Sequence, residues 1–271
     1  MSDCQPLSLT RRIGDFPIGN RMLSEHQREV IGNSGINHHP HAWIAAGDLT
    51  DLTGTLVDSA GEAIAWRGDS PDTSQTVTAA ASFIIRYPWD ILRADELFVS
   101  SLTGNRIDGD VHPSAVVEGI IHVGSGTRIL PGVFIEGNVV IGANCKIGPN
   151  CYIRGNTSIG DGCHIGQAVE IKNCLILSKT NVGHLSYVGD SVLGEKVNFG
   201  AGTIVSNLRH DGKNHRSMVN CELIDTGRRK FGCIVGDGVH TGINTAIYPG
   251  RKLWPGTSTR PGEIVQHDIL S

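Results

Sequence analysis

Aromatic residues are scarce in this 271-residue chain, at 5% of the total, while glycine is abundant, with 35 copies. In a patternless sequence that pairing would point to disorder. Neither sign of charge dominates. The formal net charge is −4, which argues against a nucleic-acid partner recruited by bulk charge. No apolar run is long enough to span a bilayer, and Met1-Ser2-Asp3-Cys4-Gln5 does not open a secretory leader, so no membrane partner is expected. The seven cysteines are odd in number. They read as reduced core thiols of a cytoplasmic protein rather than a disulfide set or zinc site.

What the chain does have is a period. Steps of six from Val111 give Val117, Val123, Ile129, Ile135, Ile141, Ile147, Ile153, Ile159, Ile165, Ile171 and Leu177, all aliphatic. Four residues after each comes a mostly small or aliphatic residue, among them Val133, Val139, Cys145, Cys151, Cys163, Leu175 and, last, Asn181. Gly, Asn, Asp and Pro fill the intervals and supply the φ > 0 conformations that tight corners need. One six-residue unit is a short strand plus a corner. Three units make one turn of a parallel β-helix of about eighteen residues, whose side chains stack at the ~4.8 Å strand spacing. The glycine bias is therefore architectural, and the fold class is mainly β.

Before the helix, residues 1–104 form a small α+β N-terminal region. Pro17–Ile31 reads as a turn and an amphipathic helix in which Met22, Leu23, Val30 and Ile31 are available to pack. His38, His39 and His41 lack carboxylate or cysteine partners at ligand spacing and read as a solvated loop. Weak strand signals lie near Trp43–Ala46 and Thr55–Val57, and Val77–Arg86 is β-like. A helix from Tyr87 to about Leu102 is expected to cap the open end of the β-helix. The β-helix occupies 105–271. Its phase breaks after Leu177, with the slip expected within Asn181–Asp190, and a polar excursion over 207–230 leaves the period altogether.

Three stretches carry more than architecture. Val169-Glu170-Ile171-Lys172-Asn173, Gly183-His184-Leu185-Ser186-Tyr187-Val188-Gly189-Asp190 and Val197-Asn198-Phe199-Gly200-Ala201-Gly202-Thr203-Ile204 resemble the acetyltransferase half of the bifunctional glucosamine-1-phosphate acetyltransferase/N-acetylglucosamine-1-phosphate uridyltransferases. Asn207-Leu208-Arg209-His210-Asp211, Gly227-Arg228-Arg229-Lys230-Phe231-Gly232 and Thr241-Gly242-Ile243-Asn244 are similar to the archaeal-type sugar-1-phosphate acetyltransferases. The resemblance runs over roughly residues 85–265. It implies a left-handed parallel β-helix, a homotrimer with active sites between subunits, acetyl-CoA as cosubstrate, an amino sugar 1-phosphate as substrate and no metal.

Acetyl transfer from a thioester to a sugar amine wants a base near neutral pKa, and His184 in the phase break is the candidate, with Glu170 to orient it. A sugar 1-phosphate needs fixed cations. Arg154, Lys172 and Tyr187 match the family's phosphate and sugar binders, and Arg154 precedes Lys172 by one coil, which places both cations on one side. By the resemblance, Asn198 and Asn207 contact the sugar amine and Lys230 comes from a neighbouring subunit. By the same resemblance, Ala201 offers a backbone donor to the tetrahedral intermediate. Acetyl-CoA would pass Gly242, Thr245 and Pro261. Ile243 stands where the family has a serine.

The family's nucleotidyltransferase domain opens on a Gly-rich loop that this sequence lacks, so no cradle for a nucleoside triphosphate is expected and uridylyl transfer should be absent. Thr10-Arg11-Arg12 and Pro17–Gln27 resemble only the fragment after that loop. Two other readings stay open. One is a non-catalytic β-helix protein that binds a sugar phosphate or nucleotide sugar, or scaffolds a partner. The other is a metal-dependent β-helix enzyme of the carbonic anhydrase kind, against which His122, His164 and His184 fail to share a repeat position.

Overall fold

A computed structural model describes residues 4–271; residues 1–3, the start of the expected leaderless terminus, lie outside them. From Arg106 the chain winds as a parallel β-helix with three sheets. Sheet I stacks Asp110–Val111, Arg128–Ile129, Lys146–Ile147, His164–Gln167, Asn181–His184 and Asn198–Phe199. Sheet II runs from Val116–Glu118 through Tyr152–Arg154, Glu170–Lys172, Tyr187–Gly189 and Ile204–Val205 to Ile264–Val265. Sheet III runs from Arg106–Ile107 through Thr157–Ile159, Leu175–Ile176 and Val192–Leu193 to Arg251–Leu253.

The six-residue period becomes register. Val117 pairs with Ile135, Ile135 with Ile153 and Ile153 with Ile171, so one coil takes eighteen residues and the aliphatic column fills the interior. The second phased set also turns inward, where polar atoms bond to the backbone of the next coil. Thr127 Oγ1 donates to Gly142 O at 2.6 Å and Cys145 Sγ to Gly160 O at 3.0 Å. All seven cysteines are free thiols.

The phase slip lies upstream of the expected place. Arg154 pairs with Lys172, eighteen residues on, but Ser158 pairs with Leu175, only seventeen on. One residue is therefore missing from the corner at Asn173, and Gly189–Val192 repeats the short corner at Asp190. Asn173 (φ 54°) and Asp190 (φ 51°) turn these corners in the left-handed region. Side chains alternate along a strand, so the missing residue exchanges inside for outside. Cys174, Ile176 and Thr180 turn inward where Leu175, Leu177 and Asn181 were expected.

Those displaced leucines meet the N-terminal region. Helix α1 (Leu23–Ile31) buries Leu23, His26 and Gln27, while Met22 is exposed rather than packed. Helix α2 (Pro88–Ser100) starts on Pro88, and Asp90 accepts the N–H groups of Arg86 and Tyr87. The expected end cap is instead a flank. Trp89, Ile91 and Leu92 of α2 share a core with the outward Leu175, Leu177, Val192 and Ile234, because sheet III presents an apolar outer face there. Within this seam Asp95 is fully buried. Gly19 N–H and Ser158 Oγ–H donate to its Oδ1 at 2.7 and 2.8 Å, and its Oδ2 has no partner among the described residues. Burial pushes its carboxyl up to about 7.

Candidate active site on one edge and one face of the coil

Between sheets I and II the chain turns a corner once per coil. Leu185 N–H donates to Gln167 O, Gly202 to His184 O, Asn244 to Ala201 O and Gly262 to Ile243 O. Gln167, His184, Ala201, Ile243 and Pro261 therefore stand in one column along this edge. Three of the residues read from sequence, His184, Ala201 and Pro261, are brought together here. His184 is exposed, and its imidazole makes no hydrogen bond within the described chain. The N–H of Ala201, directly above it, is likewise unspent.

The glycines of this edge answer to coil stacking. A Cβ on Gly200 would lie 2.6 Å from the Gly242 carbonyl carbon, and one on Gly242 would lie 2.5 Å from the Pro261 nitrogen. Thr245 departs from its expected place against a cosubstrate. Its hydroxyl is buried inside the coil, donating to Gly242 O and bonded to Thr259 Oγ1 at 2.7 Å, because it falls on the inward small position.

Sheet II holds the charged side chains. Glu136, Arg154, Lys172 and Gly189 form one column, and Tyr152, Glu170, Tyr187 and Ile204 form the next. The cations share a face, one strand spacing apart. Each already has a carboxylate. Arg154 donates to Glu170 at 2.8 Å, a bond that raises its pKa further, and Lys172 Nζ lies 2.9 Å from Asp190, whose side chain is 3% exposed. Glu170 thus holds Arg154 and not His184, since the imidazole sits around the corner while the guanidinium faces it across adjacent strands.

Asn207 Nδ2 donates to Tyr187 Oη at 3.0 Å and to Asp190 Oδ2 at 2.5 Å. Burial, then the Asp190 charge, raises the Tyr187 pKa. Gly189 makes this closure possible, because a Cβ there would lie 2.6 Å from both Tyr187 Oη and Asn207 Nδ2. Asn198 stands apart, exposed on sheet I beside His240, so it is not an inward-stacked asparagine. Lys230 is exposed at the neck of the excursion, where it bridges Leu208. The excursion folds into a hairpin of Arg216–Val219 and Glu222–Asp225, and His215 Nε2 bonds Asn207 O at 3.1 Å.

Sequence reasoning missed four residues behind this face: Asp190, Asn173, whose amide bonds both Asp190 and Glu96, Glu96 itself, and Arg228, which pairs with Glu96. Asp190 closed a quoted motif, and a lone Asp after Gly at a corner signals φ > 0. Glu96 lies on α2, so no spacing within the repeat could have found it. Among the described residues, no three His, Cys, Asp or Glu side chains converge as a metal site.

Residues 135–251 match the family model of the GMPPB C-terminal domain. A bifunctional sugar-1-phosphate nucleotidylyltransferase/acetyltransferase of Sulfurisphaera tokodaii is 39% identical over 182 residues, covering 67% of this chain and 45% of that protein. A protein of Methanococcus maripaludis named bifunctional protein GlmU is 45% identical over 185 residues, covering 68% of this chain and 44% of its own length. The crystal structure of a UDP-N-acetylglucosamine acyltransferase overlaps 60% of this chain and 68% of its own, at 12% identity and a TM-score of 0.29. The chain spans less than half the length of the curated relatives it matches. Over that shared stretch it is similar to proteins named bifunctional sugar-1-phosphate nucleotidylyltransferase/acetyltransferase and bifunctional protein GlmU.

Proposed function

We propose that the chain is an acetyl-CoA-dependent N-acetyltransferase acting on glucosamine- or galactosamine-1-phosphate in the cytoplasm, as a homotrimer and without uridylyltransferase activity. One observation supports this above the rest. An exposed, unbonded imidazole, His184, stands one coil below an unspent backbone N–H, that of Ala201, on the edge bordering the Arg154–Lys172 face. At the ~4.8 Å coil spacing a proton acceptor and an oxyanion donor can address one reacting centre.

Acetyl-CoA supplies the activated acetyl group when bound. His184 takes the proton of the sugar amine. The phosphate displaces Glu170 from Arg154, which is the more exposed of the two cations, while Asp190 holds Lys172 in place. Tyr187 and Asn207 orient the sugar, and Lys230 reaches it from a neighbouring subunit. Exposed apolar residues support the trimer: Leu185 (64%), Ile243, Ile204 and Ile264 line this edge and face, where a second copy would cover them.

A coupled thiol-release assay with acetyl-CoA and each hexosamine 1-phosphate tests the reading. Release dependent on the amino sugar phosphate is expected. Measurable binding of the sugar phosphate with no release would replace it by the non-catalytic reading.

A further inference from the structure

We propose that Glu96, on helix α2 of the N-terminal region, is a positioning residue for the amino-sugar phosphate site; the inference rests on the acetyltransferase reading above. Glu96 points from the flanking helix toward sheet II. Its carboxylate forms a two-pronged ion pair with Arg228, with Arg228 Nη1 donating to Oε2 at 2.9 Å and Nη2 to Oε1. The pair is four-fifths buried, at 20% and 17% side-chain exposure. The same Oε1 accepts the Asn173 side-chain amide, and Asn173 Nδ2 also donates to Asp190 Oδ1 at 3.1 Å. Asp190 in turn receives Lys172 Nζ at 2.9 and 3.1 Å and Asn207 Nδ2.

One amide therefore ties two carboxylates together, and each carboxylate has its own cation. Charge is balanced only while all four ionic partners are present. Asn173 is fixed by its backbone at the short corner, so its two N–H bonds set where Glu96 and Asp190 can sit. The line from α2 to the substrate runs Glu96, Asn173, Asp190, and then Lys172 and the Asn207–Tyr187 pair. Arg228 extends it to the neck of the excursion, two residues before Lys230. Nothing in this arrangement touches His184 or the Ala201 edge. Glu96 thus governs how tightly the amino sugar phosphate is held and leaves the acyl-transfer step alone.

Three variants test this in the full chain. Glu96→Gln keeps the shape and removes the charge; it should raise KM for glucosamine-1-phosphate about tenfold, within the range for coupled neighbours, with kcat and KM for acetyl-CoA little changed. Asn173→Gly removes the relay amide, and glycine accepts φ 54° without strain. In that background Glu96→Gln should raise KM no further. Ser158→Ala weakens α2 docking through Asp95 but does not touch the relay; it should lower the unfolding midpoint and leave KM alone.

An unchanged KM in Glu96→Gln, or a full additional rise in the Asn173→Gly background, overturns the inference while the enzymatic reading stands. A KM rise in Ser158→Ala equal to that in Glu96→Gln also overturns it, because docking of the helix would then account for both. Absence of thiol release from the unmodified protein with every hexosamine 1-phosphate removes both readings together.

Discussion

Replacing Asp95 by asparagine should flatten the pH dependence of stability between pH 5 and 8. Asp95 lies in the seam between α2, the Pro17–Met22 hairpin and sheet III, and burial lifts its carboxyl from 3.8 to about 7. The adjacent Glu96 charge pushes the same way, and the bonds from Gly19 and Ser158 are too few to offset burial. Because the folded value is the higher one, the native state holds the proton where the unfolded chain has lost it. Stability from this group is therefore full below pH 3.8, falls by about 1.4 kcal/mol per pH unit, and levels above pH 7. Between pH 5 and 8 the loss integrates to about 2.5 kcal/mol. Asparagine keeps an acceptor for Gly19 N–H and Ser158 Oγ–H and cannot ionise. Denaturant unfolding of both proteins at pH 5, 6, 7 and 8 isolates the effect as a difference curve, with the variant gaining on the parent by that amount as pH rises. Parallel curves would show that Asp95 ionises as easily in the fold as outside it, and the account of the seam would be wrong.

His184→Ala should lower turnover by roughly 10²–10⁴, the usual contribution of a general base, with an unaltered melting curve because the ring is exposed and unbonded; an unchanged rate removes it from that role. Gly189→Ala places a methyl group against Tyr187 Oη and Asn207 Nδ2, so KM for the amino sugar phosphate should rise while kcat with saturating substrate is largely kept. Ile153→Ala opens a hole in the central aliphatic column and should cost about 2–5 kcal/mol in denaturant unfolding. A smaller loss would mean that the coils close over the gap.

The coil was legible because its code is local. Ile135, Ile153 and Ile171 announce their neighbours by spacing alone, and the same spacing puts Arg154 beside Lys172. The same rule failed at Leu177. A period read by eye stays in step until an aliphatic residue goes missing, whereas Leu175, Ile176 and Leu177 are all aliphatic and hide a one-residue slip. Partners joined by side-chain reach rather than by register were out of view. Glu170 was assigned to His184 by chemistry, but the strand geometry gives it to Arg154. The resemblance sets Thr245 against acetyl-CoA, although its place in the repeat faces the interior. The Glu96–Arg228 pair spans 132 residues of sequence, and no local pattern encodes such a contact.

The residue absent from the Lys172–Leu175 corner sets more than a pitch. In an unbroken eighteen-residue winding, Leu177 would be swallowed by the interior and Ile176 would face out, and α2 would lose the leucines that extend its seat beyond Ser158. Shortening the turn releases two leucines to the outside and, in the same stroke, creates the bend from which Asn173 spans Glu96 and Asp190. Adding one amino acid after Asn173 would undo both at once. The N-terminal region thus rests on both kinds of coil, on Asn138 and Ser158 before the slip and on the displaced leucines after it.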